Sequence, residues 1–172
     1  MIEMRDMNKF VTRLNWERAG LMSLNCEWIQ VSPIVGAGPV SLEFHVDVLG
    51  KTYLKHSGDV LTEGTHSFVM SVSSSYPFVA PVVSFSGPNP PAHLNFFSNG
   101  NVCIGGWNRA EENLATLAIR ITRCIFLAPE TFNFKSPADS QSMALCRLIA
   151  NGSLEQPQLP GPIPVPDFGG AA

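Results

Sequence analysis

The sequence predicts an α+β fold: an N-terminal helix, a four-stranded antiparallel meander sheet, an irregular loop and C-terminal helices. Three observations carry this. Met7, Phe10, Val11 and Leu14 recur at the i, i+3, i+4, i+7 positions of an amphipathic helix. Cys26 to Phe85 breaks into short β-branched and aromatic runs separated by Pro33, Gly36, Gly38, Gly50, Gly58 and Gly64. Leu114 to Leu127 is long, apolar and nearly free of breakers.

Taken in order, the first helix is expected to run to about Leu21, and strands are expected at about 26–32, 41–49, 66–73 and 81–85. Leu42, Phe44, Val46 and Val48 alternate with Glu43, His45 and Asp47, which suits a half-buried strand. Pro88, Pro90 and Pro91 open an irregular stretch that reaches Trp107, after which a buried helix should stop before Pro129. Ser136 is a candidate cap for a last helix with Pro137 at its first position and Gly152 as its stop. Residues 1–155 are read as one domain. The five prolines between 156 and 172 suggest an extended tail with little to pack.

At 172 residues and 45% hydrophobic, the chain can bury one real core. A net charge of −3 with scattered basic residues gives no footprint for nucleic acid. Cys26, Cys103, Cys124 and Cys146 have no C-x-x-C pairing and no His at zinc-ligand spacing, so neither a disulfide framework nor a metal site is expected. The apolar runs fall short of the roughly 20 residues needed for a membrane span. Glu3, Arg5, Asp6 and Lys9 interrupt the N-terminus, unlike a secretory leader, so a cytoplasmic protein is expected.

The segment Tyr76-Pro77-Phe78-Val79-Ala80-Pro81 is followed by His93-Leu94-Asn95 and then by Gly100-Asn101-Val102-Cys103-Ile104, with His93 ten residues and Asn95 eight residues before Cys103. This resembles the active-site segment of ubiquitin-conjugating (carrier) enzymes, whose His-Pro-Asn motif precedes a Gly, a variable residue, an aliphatic residue and the catalytic Cys. The specific likeness occupies Tyr76 to Trp107, while the order of elements agrees from residue 1 to about 151. Three features depart from the family pattern. Leu94 replaces proline, Trp107 follows the cysteine by only four residues, and Thr62-Glu63-Gly64 only hints at the family's turn. Trimming of this kind resembles bacterial carriers encoded beside their own modifier, activator and deconjugase.

The resemblance implies that Cys103 accepts a ubiquitin-like modifier as a thioester from an activating enzyme and passes it to a lysine of a protein acceptor. Sulfur suits both steps, because its thiolate is nucleophilic and leaves well. With no basic neighbour in sequence, Cys103 is expected to depend on presentation by the activating enzyme. The lysine, with an ordinary pKa of about 10.4, must be deprotonated or desolvated by the site. By the same resemblance Asn95 stabilises the oxyanion, His93 shapes the loop, and Asn133 is the nearest match to the residue that activates the lysine, with Glu130 next. Phe78 occupies the ligase-contact position, and Arg5, Lys9 and Arg13 the face that docks on the activating enzyme. No cofactor is implied, since ATP is used by the activating enzyme.

Plainer roles stand beside these. Asn95 could only brace the loop, and Phe78 could be core. Tyr76, Phe85 and Trp107 read as core, and Cys26, Cys124 and Cys146 as small hydrophobes. His45, His56 and His66 read as surface or satisfied. Two other functions compete: a noncatalytic binding or scaffold module of the same fold, and a Cys–His hydrolase.

Overall fold

The computed structural model describes residues 4–34 and 42–169, with side chains from Lys9 onward in the first helix. The first residue of the strand expected from 41, the turn glycines Gly36 and Gly38, and the side chain of Arg5 lie outside the described residues.

Helix α1 spans Met4–Met22, and strands β1 (Ile29–Ile34), β2 (Leu42–Tyr53), β3 (Leu61–Val72) and β4 (Val82–Phe85) pair in sequence order, each antiparallel to the next. Alternation puts Phe44, Val46, Val48, Phe68, Met70 and Val72 on the buried face of the sheet. Helix α2 (Leu114–Ile125) packs on α1 and β2 through Leu114, Leu117, Ala118, Ile121 and Ile125. The Asn113 side chain accepts from Thr116 N, and Thr116 Oγ1 accepts from Asn113 N. This reciprocal cap fixes where α2 starts.

β2 and β3 outrun the expected strands because their distal halves lose the apolar alternation. Gly50 pairs with Gly64 and Lys51 with Glu63, so Thr62-Glu63-Gly64 lies within a strand, and the chain turns between Leu54 and Val60. Gly50 is required by packing. A Cβ there would lie 2.7 Å from the Phe126 ring.

A carboxylate ties the layers together. Glu17 of α1 is fully buried. Its Oε1 accepts from Arg13 Nε at 2.8 Å and from the Tyr76 hydroxyl, and its Oε2 accepts from Leu114 N at 2.7 Å. The last of these is the first amide of α2, a donor with no partner inside its own helix.

Two expectations need correction. The last helix, α3, spans Met143–Ala150 with Ser142 at its N-cap, so Ser136 and Pro137 lie in a loop. The amides of Ala138 and Asp139 donate to Leu94 O at 2.7 and 3.1 Å, and the Asp139 carboxylate takes Ser142 Oγ at 2.6 Å and Lys55 Nζ at 3.1 Å. Those partners hold the segment out of helical conformation. The tail beyond Glu155 has no regular structure, but it does pack. Phe168 stacks on Trp16 with ring centroids 4.0 Å apart and lies over Gly20, where a Cβ would be 2.2 Å from its ring. Asp167 N donates to Ser23 Oγ at 2.8 Å, Pro157 is buried, and Ile163 packs against the core. Ile163 and Phe168 are isolated among prolines and carry no periodicity, which is why the sequence hides their anchoring.

Candidate active site

The chain leaves β4 at Phe85 and folds back along it. Phe85 N donates to Gly100 O at 2.8 Å and Val102 N to Val83 O at 2.9 Å, while Phe97 N closes the turn on Asn101 O at 2.8 Å. Gly100 makes this approach with φ 89°, and a Cβ there would come within 3.3 Å of Phe85 O. The loop is pinned from inside by Leu94 and Phe96, both fully buried. Leu94 joins a small cluster with Tyr53, Ala92, Leu127, Cys146 and Ile149, so its side chain fills space toward α3. Lys55, almost fully buried, donates to Phe96 O while paired with Asp139. Burial would raise the Asp139 carboxyl, but hydrogen bonds from Ser142 and Lys55 and the lysine charge outweigh it and hold its pKa low.

These supports deliver Cys103, half-buried, with its amide donating to Asn95 O at 2.7 Å. His93 is fully buried, and both of its ring nitrogens are engaged. Asn95 N lies 3.0 Å from Nδ1, and Thr131 Oγ1 lies 2.9 Å from Nε2. Burial pulls its pKa down to about 4, so the ring is neutral at pH 7. The Asn95 amide is turned toward helix α2, with Nδ2 3.8 Å from Cys124 Sγ. Burial pushes the Cys124 thiol up to about 11 and that of Cys146 up to about 12, so both stay protonated near neutrality.

Cys103 opens onto a cleft of about 580 Å³ whose walls include Asn95, Arg120, Arg123, Glu130 and Asn133. Arg120 lies in its wall, donating to Ile104 O at 3.0 Å and to Glu112 Oε1 at 2.6 Å. Arg123 pairs with Glu130 at 3.0 Å. Asn133 is exposed, and its Oδ1 accepts from Lys135 N at 3.2 Å. The structure thus places Cys103, Asn95, Asn133 and Glu130, each singled out in the sequence, along one cleft, with His93 behind the loop. Sequence reasoning missed Arg120, Thr131, Lys55 and Glu17. Thr116, Arg120 and Arg123 form a polar stripe at i, i+4, i+7 on a helix whose other residues are apolar apart from Thr122, and that signal was available.

The partner-docking candidates divide. Phe78 is 74% exposed, with the Arg109 guanidinium 4.4 Å over its ring, and Val79 beside it is 53% exposed. Lys9 is exposed. Arg13 is half-buried and held inside the chain by Glu17, with its guanidinium 4.7 Å over the Trp16 ring. Trp107 Nε1 donates to Pro77 O at 2.9 Å, and its ring leans on Tyr76, which is buried, as is Phe85. Among the described residues no helix is long and apolar enough to cross a membrane, and no cluster of His, Cys, Asp or Glu is placed to hold a metal.

No protein-family model matches the chain. Over 62 residues it is 32% identical to a probable ubiquitin-conjugating enzyme E2 W-A of Danio rerio, a match that spans 36% of this chain and 38% of that relative. A solved structure titled a novel ubiquitin-conjugating enzyme shares the fold at a TM-score of 0.56 and 18% identity, over 88% of this chain and 93% of that one. Human ubiquitin-conjugating enzyme E2 G1 aligns at a TM-score of 0.49 and 17% identity, over 70% and 95% of the two chains.

Proposed function

We propose that this chain, a ubiquitin-conjugating-family protein by fold and by local sequence match, carries a ubiquitin-like modifier as a thioester on Cys103 and transfers it to a lysine. The observation that supports this best is the placement of Cys103. It stands at the mouth of a cleft, in register with His93 and Asn95, on a loop braced from both sides. In the first step the Cys103 thiolate attacks the thioester carbonyl presented by the activating enzyme. A new carbon–sulfur bond forms, and the enzyme's thiolate leaves. In the second, a neutral lysine amine attacks the Cys103 thioester, the amide forms, the Cys103 thiolate departs, and the ammonium proton passes to solvent or to a cleft base. The Glu130 carboxylate is the cleft group able to take that proton, while the Asn133 amide can only accept a hydrogen bond from the incoming amine.

Attack builds negative charge on the carbonyl oxygen. Asn95 Nδ2 faces Cys124, and sulfur is a weak acceptor, so turning that amide toward the oxyanion sacrifices little. His93 is unsuited to act as a base, because its nitrogens are both committed and its pKa is low. That argues against a Cys–His hydrolase. Exposed Phe78 and Val79 offer a ligase-docking patch, and Lys9 remains available to the activating enzyme.

Incubation with activating enzyme, modifier and ATP, followed by a non-reducing gel, separates a carrier from a scaffold. Cys103→Ser should trap the modifier as an oxyester that resists thiols, since an alkoxide leaves less readily than a thiolate. Unchanged, thiol-labile charging of Cys103→Ser would contradict the proposal.

A further inference from the structure

We infer that Thr131 is a positioning residue whose hydroxyl fixes the tautomer of His93 and, through it, the backbone that presents Cys103. Thr131 Oγ1 lies 2.5 Å from Ala128 O, and two oxygens so close require a proton between them. The hydroxyl has one proton and gives it to that carbonyl, so toward His93 Nε2, 2.9 Å away, it can only accept. Nε2 therefore bears the imidazole proton, and Nδ1 is left bare to accept from Asn95 N at 3.0 Å. The other side of Asn95 completes the path, its carbonyl accepting from Cys103 N at 2.7 Å.

A continuous set of hydrogen bonds thus runs from the short 3-10 turn at Pro129–Thr131, through His93 and the Asn95 backbone, to the amide of the reacting cysteine. With the opposite tautomer, Nδ1–H would confront the Asn95 N–H and the loop would lose that contact. The same hydroxyl borders the Cys124 thiol, which in turn receives the Asn95 side-chain amide. Backbone and side chain of Asn95 are therefore referenced to one turn. That turn also carries Glu130 and leads to Asn133, so the lysine-facing wall and the thioester-bearing loop share a fixed spacing. This rests on the carrier reading, because positioning Cys103 matters only if its thiol reacts.

The test uses the full chain in a Cys26→Ser background. It is charged with a small probe, the mercaptoethanesulfonate thioester of acetyl-Gly-Gly, and discharged to free lysine in a single turnover. Thr131→Val should slow discharge by about tenfold, the effect of leaving one buried polar group unpaired, whereas Thr131→Ser should stay within about twofold of the parent. Imidazole nitrogen NMR of the uncharged parent should show His93 in the Nε2–H form at pH 7, and Thr131→Val should lose that single form. An Nδ1–H tautomer in the parent, or discharge of Thr131→Val at the parental rate, would overturn the inference. If Thr131→Val does not fold, a Thr131→Ser variant that discharges as an unpositioned chain would do so too. A parent that never acquires the acyl group on Cys103 while showing the expected tautomer would overturn the carrier reading instead.

Discussion

On the proposed reading Asn95 has two separable tasks: its carbonyl holds the Cys103 amide, and its side-chain amide, held in the structure only by the weak acceptor Cys124 Sγ, serves the reaction. Asn95→Ala keeps the first and removes the second. Charging assisted by the activating enzyme should stay near normal, while discharge to lysine should fall by about 10²-fold, as when one preorganised donor is lost. Equal loss of charging, discharge and melting temperature would make the residue structural only. His93 offers a different measurement. Its folded pKa of about 4 lies below the ordinary value of about 6.5, so as pH falls the unfolded chain takes up the proton first. Its contribution is intact above about pH 6.5, declines down to about pH 4, and amounts to roughly 3 kcal/mol. Burial depresses His66 in the same direction. Urea unfolding at pH 7 and pH 4.5 should show this decline in the parent and a clearly smaller one in His93→Gln; equal declines would remove His93 as its source. At this scale the sequence revealed what lies in one stretch of chain: the spacing of His93, Asn95 and Cys103. It concealed Thr131, Lys55 and Arg120, which reach the loop only through tertiary contacts across at least 16 positions.

Among the elements, α1 and the tail depend on each other through an absent side chain. Gly20 leaves the notch that Phe168 fills, and a methyl group there would collide with the ring. Removing residues 157–172 should cost about 2 kcal/mol, the worth of one large apolar side chain, and lower the melting temperature by about 5 °C. Gly20→Ala should then change sign with context. It should stabilise the truncated chain by up to about 1 kcal/mol through helix propensity, yet destabilise the full chain by displacing Phe168. Thermal melts of the four variants decide it, and the same effect in both backgrounds would mean that the tail does not dock. Glu17 makes a second junction. Glu17→Ala strands Arg13, the Tyr76 hydroxyl and the first amide of α2, a loss of about 3 kcal/mol or more measurable by urea unfolding. Helix α1, the meander and α2 were legible because periodic apolar residues mark them. The start of α3 was not. Ser136-Pro137 has a good cap sequence, but Leu94 O and Lys55 claim the residues that follow.

On the scale of the whole molecule, the sheet and α2 share one apolar core, from which one loop projects a thiol beside a cleft whose walls carry Arg120, Arg123, Glu130 and Asn133. Phe96 in the core and Lys55 and Thr131 at its flanks brace the loop that carries Cys103. The other cysteines have no such presentation. Cys124 and Cys146 are buried with raised pKa values, and Cys26 is half-buried against the core. The proposed carrier role requires that Cys103 alone bear the modifier. The decisive measurement uses a chain with Cys26, Cys124 and Cys146 all replaced by Ser, incubated with activating enzyme, modifier and ATP and resolved on a non-reducing gel. A single band, shifted by the mass of the modifier and abolished by thiol, should form at a rate close to the parent's. A variant that melts like the parent yet never acquires that band would contradict the account.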